Sequence, residues 1–136
     1  MPASTYLLDT HCLIWFQDNN PKIPKQVLSL IENTANTIYF SQISLFEISI
    51  KLKINKLPDF TATIEDVYEQ AILDGFTFLP IKNQHVFSYQ HVPLLLDHRD
   101  PFDRLLIATA LEEKTTLLSA DKHFAGYGRL IDVFWQ

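Results

Sequence analysis

The sequence predicts an α/β fold on a central, mainly parallel sheet, and three observations lead there. Short β-rich runs alternate with segments of helical spacing, the pattern of βαβ units. Two aspartates, Asp9 and Asp121, stand just past apolar runs, at the carboxyl ends of strands where open parallel sheets gather their ligands. A length of 136 residues, 47% hydrophobic and 20% charged, suits one soluble domain over residues 1–136.

Tyr6 to Asp9 reads as a short buried first strand, and Leu13, Ile14 and Phe16 trace a helix leaving it. Pro21 and Pro24 punctuate the next stretch, before Val27, Leu28, Leu30 and Ile31 resume helical spacing. Thr37-Ile38-Tyr39-Phe40-Ser41 is the second strand. A strong helix runs from Gln42 to about Ile54, closed by Asn55 and then Pro58. The next, Thr63 to Asp74, starts at a capping box of Thr63 and Asp66 and ends at Gly75. Phe76 to Leu79 is a third strand, Asn83 to His91 a short helix, and His91 to Arg99 a loop. Phe102 to Glu113 is the last long helix, followed by strands at Thr115 to Ser119 and Leu130 to Val133. There is no repeat, low-complexity tract or linker.

Composition removes several function classes. Three glycines leave no glycine-rich phosphate loop, since neither a dinucleotide fingerprint nor a Walker pattern can be written. A single cysteine, Cys12, excludes an internal disulfide and any zinc site built on paired cysteines, which points to a reducing cytoplasm. The N-terminus has neither a basic region nor a long apolar stretch before Asp9, so no signal peptide is expected. No run approaches the roughly 18 apolar residues of a membrane span. A formal charge of −5 argues against a generic nucleic-acid binder, whose footprint is basic. It leaves room for a nuclease, because carboxylates that collect metal become the place where phosphate docks.

Four acids, Asp9, Glu47, Asp103 and Asp121, carry the argument, with Asp100 beside them. Asp9 and Asp121 each have a plain structural reading, as N-cap or turn residue. Asp100 followed by Pro101 fits an N-cap with proline at the first helical position. Asp103 precedes Leu106, Ile107 and Ala110 at spacings of three, four and seven, which puts it on the core-facing stripe. Glu47 resists a bland account most. It falls within the stripe of Ile43, Phe46, Ile50 and Ile54, with Leu45, Ile48 and Leu52 opposite. An ionised carboxylate there costs several kcal/mol unless paired or metal-bound, and an ion pair with Arg104 or Lys51 is the structural alternative. Acids converging on one sheet end repel one another, and a hard divalent cation relieves this. Oxygen ligands without histidine or thiolate select Mg²⁺ or Mn²⁺ over Zn²⁺.

Leu7-Leu8-Asp9-Thr10-His11, Ser44-Leu45-Phe46-Glu47-Ile48, the segment from His98 through Asp100, Pro101, Asp103 and Arg104 to Ala108, and Leu117-Leu118-Ser119-Ala120-Asp121 resemble the ordered motifs of PIN-domain nucleases. More narrowly, they resemble the VapC-type toxins of prokaryotic toxin–antitoxin pairs, over nearly the whole chain. The resemblance implies a three-layer α/β/α PIN-like fold, Mg²⁺- or Mn²⁺-dependent cleavage of RNA to 5′-phosphate and 3′-hydroxyl ends, and a small VapB-type antitoxin that blocks the acidic groove. The family's acidic positions fall on Asp9, Glu47, Asp103 and Asp121, with Asp100 an accessory acid. Asn55 stands where the family often has glycine; asparagine tolerates positive φ, so the helix end should survive.

Asp9 and Asp103 are the leading metal ligands, with Glu47 and Asp121 as direct ligands or holders of ligand water. Thr10 and Ser119 are hydroxyls that either support the ligands or cap turns, and Thr10 is also a candidate for substrate contact. Lys51, Lys53 and Lys56 read as a solvated helix face, while Arg99 and Arg104 flank Asp103; a phosphate-steering role is assigned to Arg104 and Lys51 only. Trp15, Phe16, Leu45, Ile48 and Leu52 are core for the most part, or a face for a homodimer or antitoxin. Two other classes stay open. A haloacid-dehalogenase-like phosphatase needs a second Asp where His11 stands, and a receiver-like protein needs an acidic pair beside Asp9. A non-catalytic module would keep the acids as a structural metal site.

Overall fold

The computed structural model describes residues 4–94 and 100–136. Its strands are β1 (Thr5–Leu8), β2 (Thr37–Ser41), β3 (Thr77–Leu79), β4 (Thr116–Leu118) and β5 (Val133–Phe134). The helices are α1 (Thr10–Gln17), α2 (Lys25–Glu32), α3 (Gln42–Lys53), α4 (Ile64–Leu73), α5 (Asn83–Tyr89) and α6 (Pro101–Glu113), with a 3-10 helix at Lys122–Tyr127. All strand pairs are parallel, in the order β3-β2-β1-β4-β5. The chain steps outward from β1 to β3, then returns to the other side of β1 for β4. The order therefore reverses between β1 and β4, and a parallel sheet opens its ligand crevice at such a point.

Alternation along the strands builds two apolar layers. Leu8, Ile38, Phe40 and Leu118 face a core completed by Cys12, Leu13, Val27, Ile31, Ile48, Val67 and Ala71. Leu7, Leu79 and Leu117 face the opposite core, closed by Leu106, Ile107, Ala110, Phe124 and Tyr127. Both faces of the sheet are covered by helices, so the strands are apolar on both sides. The architecture is the expected three-layer α/β/α sandwich.

Helix ends explain where element boundaries differ from expectation. After α4, Gly75 takes φ +87°, and the amides of Gly75 and Phe76 bond back to Ile72 and Ala71 at 3.0 Å each. Phe76 thus closes the helix, and β3 begins one residue later. Thr115 does the same for α6, donating to Ala110 at 3.1 Å, so β4 starts at Thr116. The last strand is Val133–Phe134 rather than Leu130 to Val133, because Leu130 and Ile131 donate to the Tyr127 carbonyl and finish the 3-10 helix. Asn55 adopts φ 58° at the end of α3, with Lys56 donating to Lys51 at 2.8 Å, the role expected of it. The last part of the expected His91-to-Arg99 loop, residues 95–99, lies outside the described residues.

The capping box of α4 forms in full, with Asp66 N–H donating to Thr63 Oγ1 at 3.1 Å and Thr63 N–H to Asp66 Oδ2 at 3.0 Å. Thr63→Ala is expected to lower stability by about 1 kcal/mol, read as a shift of the urea midpoint at unchanged slope. Among the described residues no helix is long and apolar enough to cross a membrane.

One expectation reverses on α3. Phe46 and Ile54 are 56% and 55% exposed, whereas the opposite stripe carries fully buried Ile48, with Leu45 and Leu52 packed on the first core. Glu47 therefore lies at the margin of the core-facing surface instead of inside it.

Candidate active site

Backbone turns at the carboxyl ends of β1 and β4 place the first two acids. Asp9 leaves β1 extended and caps α1, with Oδ1 accepting from Cys12 N–H at 2.7 Å. Its other oxygen accepts from the Ser119 hydroxyl just past β4, and its own N–H donates to Leu118 O at 3.1 Å. The same Ser119 oxygen accepts from Asp121 N–H at 3.0 Å, so one hydroxyl ties both strand ends together. Asp121 caps the 3-10 helix, accepting from His123 N–H at 2.9 Å and lying 3.0 Å from His123 Nδ1. Capping and cleft lining fall on the same residues: each carboxylate caps the helix that leaves its strand and also borders the cleft.

Asp9 is 5% exposed. Burial pushes its pKa from 3.8 up to about 6; the hydrogen bonds from Ser119 and Cys12 oppose the rise, and the charges of Asp103 and Asp121 add to it. Two carboxylates from distant parts of the chain thus act on a third. A cation in their midst would lift that repulsion.

The helices bring the remaining acids. Glu47 Oε1 accepts from the Thr10 hydroxyl at 2.7 Å, Thr10 Oγ1 stands 3.0 Å from Ser44 Oγ, and Glu47 Oε2 pairs with Lys51 Nζ at 3.5 Å. The Lys51 pair is the structural alternative weighed for Glu47, realised at the edge of the site rather than in the core. Asp100 caps α6 by accepting from Phe102 N–H at 2.9 Å. Asp103 follows in its first turn.

These residues share one cleft of about 240 Å³, lined by Asp9, Thr10, His11, Glu47, Lys51, Asp100, Asp103, Asp121 and Phe124. All four expected acids and accessory Asp100 meet there. They line a common space without closing on it: among the described residues no three His, Cys, Asp or Glu side chains are set close enough to grip one ion. The donor set fits a hard divalent cation in kind, being carboxylate oxygen throughout. Glu47 and Asp121 already have partners that hold them to the walls.

The cationic expectations divide. Lys51 lines the cleft, whereas Arg104 is not among its walls and turns toward α5. The Arg104 guanidinium donates to the Tyr89 hydroxyl and lies 5.1 Å from the centre of that ring. One residue along a helix is a rotation of about 100°, which carries Arg104 away from the crevice that Asp103 faces. In the structure Arg104 thus packs α6 on α5 instead of lining the cleft. That packing is reinforced by fully buried His85, whose Nδ1 accepts from Lys82 N–H and whose Nε2 therefore donates to Glu113 at 2.7 Å. Thr10 is 4% exposed and its hydroxyl is bonded to Glu47. Lys53 and Lys56 are exposed and do not line the cleft; Arg99 and His98 lie outside the described residues.

His11 and Phe124 are wall residues that sequence reasoning did not select. For His11 the signal was present, since a residue two after a strand-end cap stays at the same sheet edge. Partial desolvation and then Lys51 lower its pKa, outweighing Glu47 and Asp121. Phe124 had no local signal.

The sequence matches the PIN domain family over residues 6–130. Solved structures share the fold across nearly the full length at low identity. VapBC2 of Rickettsia felis bound to a promoter DNA fragment is 19% identical, covering 97% of this chain and 99% of that one, with TM-score 0.69. FitAcB of Neisseria gonorrhoeae is 19% identical over 95% and 96%, with TM-score 0.61. DNA-bound VapBC of Salmonella typhimurium is 15% identical over 96% and 97%, with TM-score 0.62. No curated protein matches the sequence.

Proposed function

The chain belongs to the PIN-domain family, a family of nucleases that generally use divalent metal ions, and from that premise we propose that it is a metal-dependent endoribonuclease, the toxin of a VapBC-type pair. The observation that carries the reading is the gathering of Asp9, Glu47, Asp100, Asp103 and Asp121 around one cleft at the point where strand order reverses. The full 136 residues act as one PIN domain in this reading.

Asp9 and Asp103 would hold Mg²⁺ or Mn²⁺ directly, and Glu47 and Asp121 directly or through water, with Asp100 as accessory. When bound, such a cation supplies positive charge to the phosphodiester and acidifies water for attack on phosphorus. The protein's own part is orientation. Ser119 holds Asp9 and the Asp121 backbone in one hydrogen-bonded unit. Thr10 and Lys51 set the Glu47 carboxylate from two sides. Among the described residues Lys51 is also the lysine at the cleft wall and the residue for approaching phosphate. His123 fixes Asp121 through one oxygen.

The complexes among the similar structures, VapBC and FitAcB, support a small VapB-type antitoxin as the partner; for the toxin itself a homodimer is the working assembly. Purified protein incubated with mixed cellular RNA is expected to degrade it with Mg²⁺ or Mn²⁺ and not with EDTA. Adding the product of a neighbouring antitoxin gene should stop the reaction. RNA left intact in Mg²⁺ and Mn²⁺ by folded protein would overturn the enzymatic reading in favour of a non-catalytic module.

A further inference from the structure

Next to the acidic cleft lies a second hollow of about 230 Å³, lined by Asp9, His11, Trp15, Ala120 and Asp121. The two spaces share Asp9, His11 and Asp121, so whatever fills the second one touches the same carboxylates. Its other walls, Trp15 and Ala120, are uncharged. His11 and Trp15 are four residues apart on α1, which puts both rings on one helix face running out from Asp9.

The rings form a chain. His11 and Trp15 have centroids 5.8 Å apart at 47°, and Trp15 and Trp135 5.9 Å apart at 51°. Lys22 Nζ stands over one face of the Trp15 ring, 5.2 Å from its centre, adding positive charge beside an otherwise acidic region. Trp15 also rests on the first apolar core, and packing alone would account for that flank. Packing does not account for an indole that walls a hollow opening onto buried Asp9 while remaining half-buried itself.

We propose that this aromatic hollow receives one unstacked base of single-stranded RNA, next to the phosphate held in the acidic cleft. The inference rests on the nuclease reading and adds to that site a neighbouring place for a base. The carboxylates take up phosphate only through a bound cation, whereas a base is neutral and offers a π-face that any aromatic ring can stack on without one. A paired base in an A-form helix is stacked within its duplex and does not reach such a site, so single strands, loops and bulges are the targets.

The chain's 2 tryptophans, Trp15 and Trp135, both belong to the ring chain, so intrinsic fluorescence reports on it directly. In Trp135→Phe, with Ca²⁺ in place of Mg²⁺, a single-stranded hexauridylate is expected to quench the remaining emission, and a duplex of the same length is not. Labelled hexauridylate should bind Trp15→Leu about tenfold more weakly, the loss of one base stack. His11→Ala, at an exposed position, should also weaken binding and carries the test if Trp15→Leu does not fold. Unchanged affinity in the folded variants, equal quenching by duplex, or no binding to wild type would each overturn the proposal. Quenching without cleavage in Mg²⁺ would remove the nuclease reading and keep the base site; cleavage with unchanged affinity would do the reverse.

Discussion

Asp9→Asn is expected to abolish Mg²⁺-dependent RNA cleavage while leaving the fold intact. Asparagine has the same shape and keeps an oxygen to accept from Cys12 N–H, so the cap of α1 survives. What disappears is the negative charge, in a group already set against burial and against Asp103 and Asp121. Loss of a residue that merely supports a metal ligand typically costs 10–100-fold; loss of the central ligand should exceed roughly 100-fold in kcat/KM. The measurement is cleavage of a labelled RNA by wild type and variant at matched Mg²⁺, with circular dichroism and melting to confirm the fold. Full activity in the variant would sink the mechanism.

Most of the fold was legible because its signals are local. The capping box at Thr63 and Asp66, the left-handed turn at Gly75, Asn55 closing α3 and Pro101 after its Asp100 cap each depend on a few neighbouring residues and occur where expected. The errors share one cause. Phe76, Thr115 and Leu130 have strand-like side chains, yet their amides complete the preceding helix before pairing can begin. Side-chain propensity cannot count those backbone bonds. Sheet order was equally out of reach, since β1 pairs with β4 across more than a hundred residues.

Site residues were legible to the extent that topology, rather than rotation, decides their place. Asp9 and Asp121 follow strand ends, and parallel pairing of β1 with β4 brings those ends together. Glu47 was singled out for lying on an apolar stripe; that stripe proved to be the more exposed one, and Glu47 belongs to the cleft because α3 turns its margin toward Thr10. Arg104 is the converse case. It adjoins Asp103 in sequence, but one helical step sends its guanidinium to Tyr89. Sequence adjacency on a helix separates side chains, whereas the i,i+4 relation of Glu47 to Lys51 brings them together.

The stability of the metal-free protein should fall as pH rises through the range in which Asp9 ionises. In the fold this carboxyl titrates at about 6, against 3.8 for an unhindered one. Below about pH 4 both folded and unfolded chains hold the proton and Asp9 has no cost. Between the two values the unfolded chain has lost its proton while the fold still keeps it, so each rise in pH favours unfolding; above about 6 the penalty is complete. The gap corresponds to about 3 kcal/mol. Glu113 works the other way: the hydrogen bond from His85 holds its carboxyl down, and its contribution is present at higher pH and lost in acid. The difference between wild type and Asp9→Asn isolates Asp9, and metal-free Asp9→Asn should be the more stable protein at pH 7 and nearly matched to wild type at pH 4. Mg²⁺ reverses this ordering if it binds Asp9, because a cation stabilises the ionised form that burial penalises. Its stabilisation of wild type should therefore be larger at pH 7.5 than at pH 5, and small throughout in the variant. Melting curves of both proteins across pH, with and without Mg²⁺, read all of this at once. An equal Mg²⁺ effect in the two proteins would place the cation elsewhere than on Asp9.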